Sequence, residues 1–212
     1  MGAGYPECVS FVQGFAEAVA VNREYLTQLD AEIGDADHGI NMDRGMRAVI
    51  PKVEALTDQD ISGLFRTVAM ALISTVGGAS GPLYGTVFLQ LSSSLKGKSE
   101  IELSDWAEAV LAAVTAVQAR GKAEPGDKTM VDALLPAAQA LREAADEGLA
   151  LAEGLARATA AAHQGMEATI PLLARRGRAS YLGERSQGHQ DPGATSSWLL
   201  MQTAEAAFAK GN

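Results

Sequence analysis

From Pro6 to about Leu29, the apolar residues Val9, Val12, Phe15, Val19, Leu26 and Leu29 recur mostly at three- and four-residue steps. That spacing lines one face of an α-helix. The same period returns in "NMDRGMRAVIPKVEAL", "ISGLFRTVAMALISTV", "LYGTVFLQLSSSL", "DWAEAVLAAVTAVQAR", "MVDALLPAAQALREAADE", "GLARATAAAHQGMEATIPLLAR" and "SSWLLMQTAEAAFAK", so the pattern predicts eight amphipathic helices. Alternating β-branched runs are nearly absent, and only "VFLQL" reads as a strand in isolation. The expected fold is all-α. Helix starts are marked by Pro82 after "GGASG", by Ser104 ahead of Asp105, by the capping-box pair Thr129 and Asp132, and by Thr195 after "DPGA". Short connections between such helices imply antiparallel neighbours.

Two connections are richer than joining helices requires: "RGKAEPGDKT" (120–129) and the long "RRGRASYLGERSQGHQDPGATS" (175–196). A loop of the second length inside a compact domain is usually functional or disordered, and its aromatic, paired charges and Asp-Pro-Gly turn favour an ordered, functional loop. No internal repeat is evident. At 212 residues, 47% hydrophobic and 20% charged, the chain reads as one globular domain spanning 1–212.

Charge narrows the partners. Seventeen basic against 26 acidic residues give a net charge of −9, the wrong sign for nucleic acid or anionic lipid. No apolar run has the length of a membrane span, and the N-terminus lacks the basic and apolar regions of a secretory signal. With Cys8 as its single cysteine, the chain is expected in the cytoplasm, and that thiol, in the first helix with no histidine nearby, reads as packed and idle.

Against this background "LDAEIGDADHGINMDRG" (29–45) stands out, because Asp30, Glu32, Asp35, Asp37 and Asp43 crowd like charges beside three glycines. A calcium loop of the EF-hand type fails: counted from Asp35, Gly39 and Ile40 fill its fifth and sixth positions and Met46 its twelfth, where it needs oxygen, glycine and glutamate. Magnesium asks for fewer carboxylates and completes its octahedron with water and phosphate. Spacing alone leaves magnesium and a solvated acidic turn both open.

Similar pairs of readings attach to the other motifs. The stretch "VGGASGPLYGT" (76–86) offers free backbone amides at a helix start, suited to an anion, and equally reads as a tight turn. It is no P-loop, since "GKAEPGDKT" puts Asp127 between Gly126 and Lys128, and "GKS" at 97–99 has Ser92 where the first glycine belongs. Arg175, Arg176, Arg178 and Arg185 around the long loop suit phosphate recognition or a solvated face. His38 adjoins the carboxylates, His189 lies in the long loop, and His163 reads as helix packing or surface; no hydrolytic triad follows from their spacing.

Together, "EIGDADHGINMDRG", "STVGGASGPLYGT", "RGKAEPGDKTMVDAL" and "GRASYLGERSQGHQDPGATS" closely resemble the nucleotide-binding L subunit of dihydroxyacetone kinases, from Leu29 to the final helix. The resemblance implies a closed barrel of eight antiparallel amphipathic helices, with Mg-nucleotide bound by loops at one end. It implies metal aspartates at Asp30, Asp35 and Asp37, holding two Mg2+ ions, and a phosphate loop at Gly78, Ala79 and Ser80, with His38, Gly39, Ile40 and Asn41 beside the nucleotide. Gly121 and Met130 correspond to positions near adenine. Arg178 corresponds to the phosphate-side, catalytic arginine, and Asp191, Pro192 and Gly193 to the segment closing over the nucleoside.

In single-chain relatives this domain is fused to one that holds dihydroxyacetone through a histidine, so the resemblance implies a separate K-type subunit here. In the phosphotransferase-dependent branch, an M-type phosphocarrier rephosphorylates ADP that the L subunit keeps as a coenzyme, and the ATP formed phosphorylates dihydroxyacetone. That is the leading expectation. A two-component ketose kinase with exchangeable ATP, and a regulatory nucleotide-binding module, are the alternatives; a homodimer is compatible with each.

Overall fold

The computed structural model describes residues 2–209; Met1 and Lys210 to Asn212, at the edges of the expected domain, lie outside the described residues. Nine α-helices account for most of them: α1 (Tyr5–Val21), α2 (Arg23–Ile33), α3 (His38–Glu54), α4 (Ile61–Thr75), α5 (Ser80–Ser94), α6 (Leu103–Gly121), α7 (Val131–Asp146), α8 (Leu151–Ala168) and α9 (Pro192–Phe208). A 3₁₀ segment, Arg178–Ser186, interrupts the long connection before α9.

The all-α expectation holds, with one helix more than the pattern predicted. The first apolar stripe is two helices, broken at Asn22, whose side-chain amide donates to Ala18 O at 2.8 Å beside its own backbone N–H at 3.0 Å. Such local side-chain bonding competes with helix continuation, and periodicity does not register it. The seventh segment was expected to reach Arg175 but ends at Ala168. There Thr169 bonds back to Met166 O, and Pro171 has no N–H to continue the ladder. "VFLQL" lies inside α5. A strand pair too short for any sequence pattern, β1 (Ala3–Gly4) with β2 (Glu100–Ile101), joins the chain start antiparallel to the α5–α6 connection.

Two expected caps move. Helix α6 starts two residues earlier than a cap at Ser104 allows, because Asp105 reaches back to the Glu102 amide at 3.2 Å in a capping box. At α9 the cap is Asp191, which accepts from Ala194 N at 2.7 Å; Thr195 sits inside the first turn and donates to Asp191 O. The Thr129–Asp132 pair forms only in part: Thr129 N donates to Asp132 at 2.8 Å, but the Thr129 hydroxyl accepts from Val131 N at 3.1 Å and α7 begins after Met130.

Packing follows the chain. Helix α3 lies against α4, α4 against α5, and so on to α9, which returns to α1; α1 packs on α3, and α2 bridges α3 and α9. The core fills the interior, where Phe11 meets Trp106 edge-on at 5.8 Å between ring centroids and Trp106 meets Phe208 at 5.0 Å. Aromatic pairs of this geometry add about 1 kcal/mol beyond their burial. Cys8 is fully buried in this core, and His163 lies on α8 edge-on to Trp198, both as expected. No helix among the described residues is long and apolar enough to cross a membrane.

In an antiparallel succession every second connection falls at the same end. The connections α2–α3, α4–α5, α6–α7 and α8–α9 therefore converge, and these are the four segments that carry the sequence motifs.

Candidate functional site

Those four connections line one cavity of about 460 Å³, within the roughly 300–1,000 Å³ range of small-molecule sites. From the α2–α3 connection come Asp30, Asp35, Asp37 and His38; from α4–α5, Gly77, Gly78, Ala79 and Ser80; from α6–α7, Gly121, Lys128, Thr129 and Met130. The α8–α9 connection adds Arg176, Gly177, Arg178, Asp191, Pro192 and Gly193.

Asp30, Asp35 and Asp37 each offer a carboxylate oxygen, and the three lie within 4.8 Å of one another. Ala36 between the last two adopts a left-handed backbone, φ 60°, an uncommon conformation for a residue with a Cβ and one that concentrates at functional sites. Asp30, almost buried in the last turn of α2, organises the connection that follows: its Oδ2 accepts from the amides of Asp37 at 2.8 Å and His38 at 3.1 Å. Its Oδ1 takes neither of these bonds. Three hard oxygens this close, one pre-oriented by amides, fit the needs of a divalent cation such as magnesium. Arg178 Nε pairs with Asp35 Oδ2 at 2.8 Å, so a guanidinium stands at the edge of the acidic group. Asp43, buried on α3, is taken by Arg47 and Arg23.

Across the cavity the α4–α5 turn enters α5 at Ser80, and Gly78 carries φ +66°, which a residue with Cβ rarely adopts. The first amides of a helix have no intrahelical acceptor and sit at the positive end of its dipole, favouring an anion. His38 ties this turn to α9, with Nδ1 at 3.1 Å from Ser80 Oγ and Nε2 at 2.9 Å from Ser196 Oγ. Tyr84 continues the chain, its hydroxyl 2.7 Å from Ser196 Oγ. Burial pushes the His38 imidazole down to about 4 against the pull of Asp30 and Asp37, so it is neutral near pH 7, donating from one nitrogen and accepting at the other.

The covering loop is anchored as well as charged. Ala174, Ala179 and Leu182 pack on Ile33 of α2, His189 pairs with Glu32 at 2.9 Å, and Arg176 pairs with Asp127 at 3.0 Å. Burial opposes ionisation of Asp127, but the Glu124 amide and Arg176 outweigh it and hold the carboxyl below its ordinary range. Asp191 is buried at the α9 cap, and burial pushes its carboxyl up to about 7 against the bond from Ala194 N.

Of the sequence-expected positions, three do not line the cavity. Gly39 serves helix contact: a Cβ there would lie 2.1 Å from Arg23 O. Ile40 is exposed, and Asn41 is buried, accepting from Arg44 at 2.5 Å. Glu32 has a structural partner in His189. Three features carry no sequence expectation: the buried Lys128 ammonium on backbone carbonyls, the Asp127–Arg176 pair and the Tyr84–Ser196 hydroxyls; of these, only the conspicuous "GDKT" gave any signal.

Residues 32–206 match the protein family described as the DAK2 domain. The chain is similar to the ADP-binding subunit of the PEP-dependent dihydroxyacetone kinase of Escherichia coli K12, 43% identical over 202 residues that cover 95% of this chain and 96% of that one. It is likewise 43% identical to the ADP-binding subunit of the PTS-dependent dihydroxyacetone kinase of Lactococcus lactis, covering 92% and 93% of the two chains. Among solved structures it superposes on the dihydroxyacetone kinase of C. freundii in complex with AMP-PNP and Mg2+, with a TM-score of 0.72 and 23% identity. That match covers 97% of this chain but 34% of the C. freundii chain, and the likeness is one of fold.

Proposed function

The chain belongs to the DAK2-domain family, and on that premise we propose that it is the nucleotide-binding subunit of a multi-subunit dihydroxyacetone kinase. In this reading its helices form a closed barrel, and Mg-nucleotide held at one end accepts phosphate from an M-type phosphocarrier and passes it to dihydroxyacetone on a separate K-type subunit. One observation carries the reading: the three aspartates, the Gly78–Ser80 turn and Arg178 line one cavity of nucleotide-compatible size. The near end-to-end correspondence with subunits named for ADP binding supports it.

Two magnesium ions, when bound, would neutralise phosphate charge and orient the transferring group. The side chains divide the remaining work. Asp30, Asp35 and Asp37 would hold the metal, Asp30 through the oxygen that its two amide bonds leave available. Amides at the start of α5 would grip phosphate oxygens, with the Ser80 hydroxyl oriented by neutral His38. Arg178, resting on Asp35, would exchange that carboxylate for phosphate oxygen and stabilise charge developing in transfer. Buried Met130 presents a soft apolar surface for adenine beside Gly121, and Asp191, Pro192 and Gly193 close the nucleoside end.

Native mass spectrometry of freshly purified protein tests the assignment, with retained Mg-ADP as the expected result. Sustained turnover with a K-type subunit and free ATP, without a phosphocarrier, would overturn the coenzyme role. Failure to bind nucleotide with or without magnesium would overturn the whole reading.

A further inference from the structure

The 120–129 connection holds a lysine whose side chain never reaches solvent. Lys128 is 1% exposed, and its ammonium donates to Thr169 O at 2.7 Å, to Ile170 O and Leu172 O at 3.3 Å each, and to His189 O. Four backbone carbonyls around one positive charge replace its hydration shell as carbonyl rings do for a monovalent cation. All four belong to one segment, which leaves α8 at Thr169 and rejoins the bundle at Asp191.

That placement makes the ammonium the knot of a loop neck. Thr169, Ile170 and Leu172 stand on the outgoing limb and His189 on the returning one, with the 3₁₀ segment carrying Arg178 between them. Two further bonds cross the neck, Gly188 N to Ile170 O at 2.8 Å and Asp191 N to Thr169 Oγ1 at 3.0 Å. Neighbouring Asp127 secures the loop farther along: its carbonyl accepts from Arg175 N and its carboxylate from Arg176, each at 3.0 Å. Lys128 itself adopts φ +63°, a conformation disfavoured for a residue with a Cβ. A buried charge is costly unless its partners compensate, so shape-filling alone would be served better by an apolar side chain.

Resting on the nucleotide reading of the cavity, we propose that Lys128 is a positioning residue that acts as a tethered monovalent cation. Its ammonium closes the neck of the 169–191 loop and so sets where Arg178 and the Asp191–Gly193 segment stand over the nucleotide. A cation supplied in trans should then substitute for it where the side chain is removed and the backbone is relieved.

The test uses Lys128→Gly, which accepts the positive φ, alongside Lys128→Met, which fills the side chain's space without charge. In nucleotide-free protein, hydrogen exchange across 174–191 should accelerate about tenfold or more in both variants while the helices keep wild-type protection. The Kd for Mg-ADP should rise about tenfold, the scale of losing a supporting group behind a site. Added n-propylammonium should restore both readouts in Lys128→Gly but not in Lys128→Met, and tetramethylammonium, which has no N–H, should restore neither. Unchanged loop exchange, loss with no response to the amine, or global loss of helicity by circular dichroism in both variants would overturn the proposal. If wild-type protein binds no Mg-ADP while the exchange and rescue pattern holds, the nucleotide reading falls and the neck tether stands.

Discussion

Asp30 performs two tasks that substitution can separate. Its Oδ2 accepts from the amides of Asp37 and His38 at 2.8 and 3.1 Å, which shapes the turn, and its carboxylate joins Asp35 and Asp37 as a cation ligand in our reading. Asp30→Ala leaves two amides without an acceptor in a nearly buried turn; at roughly 1–3 kcal/mol each, the cost is about 3 kcal/mol. For a chain of this size that lowers Tm by about 6–12 °C. Asp30→Asn keeps an oxygen for the amides and loses only charge assistance, about 1 kcal/mol or about 2–4 °C. Both variants lose a ligand charge, so Mg-ADP affinity should fall at least about 100-fold in each, the upper range for even an outer-shell partner. Thermal unfolding by circular dichroism and titration calorimetry with Mg-ADP supply the two readouts. Wild-type Mg-ADP affinity in Asp30→Asn would refute the ligand role, and equal stability of the two variants would refute the account of the turn.

Arg178→Ala should slow phosphoryl transfer on the order of 10³-fold in an assay with a K-type partner, while Tm stays within about 4 °C because the pair with Asp35 is solvent-exposed. Asp191 predicts a pH effect: the unfolded carboxyl releases its proton near pH 3.9, whereas burial holds it in the folded state up to about 7. The folded state therefore binds the extra proton in that window, and stability falls as pH rises through it. Asp191→Asn, which keeps a cap acceptor and never ionises, should show a smaller drop in urea midpoint between about pH 5 and about pH 8 than wild type does. Cys8, pushed by burial up to about 12, should react with thiol reagents at about pH 8 only as fast as the protein unfolds, measured by labelling rate against unfolding rate.

Much of the fold was legible because helix burial has a period that composition cannot hide: Val12, Phe15 and Val19 fall on the buried face of α1 as their spacing requires. Boundaries were less legible. Asn22 breaks the first stripe and Pro171 ends the eighth helix, and both act through local backbone bonds that apolar periodicity does not report. The cap at α9 is Asp191 where Thr195 was expected, since either residue type can cap and the choice depends on which side chain faces the free amides. The aspartates, the glycine turn and Arg178 were visible as motifs, and in an antiparallel succession alternate connections must share an end.

The sequence by itself therefore determined an all-helical chain, the four motif-bearing loops that line the cavity, and the family to which it belongs. Only the tertiary structure decided what each loop residue touches. Gly39 and Asn41 sit within the aspartate-rich motif yet face α2 and the α4–α5 turn, while Lys128, inside a failed phosphate-loop pattern, is buried under the opposite loop. Residue spacing along a chain specifies which face of a helix is apolar, because that is a local, periodic property. Which carbonyls gather around an ammonium 41 to 61 residues away is set by how the helices close on one another, and no local pattern encodes it.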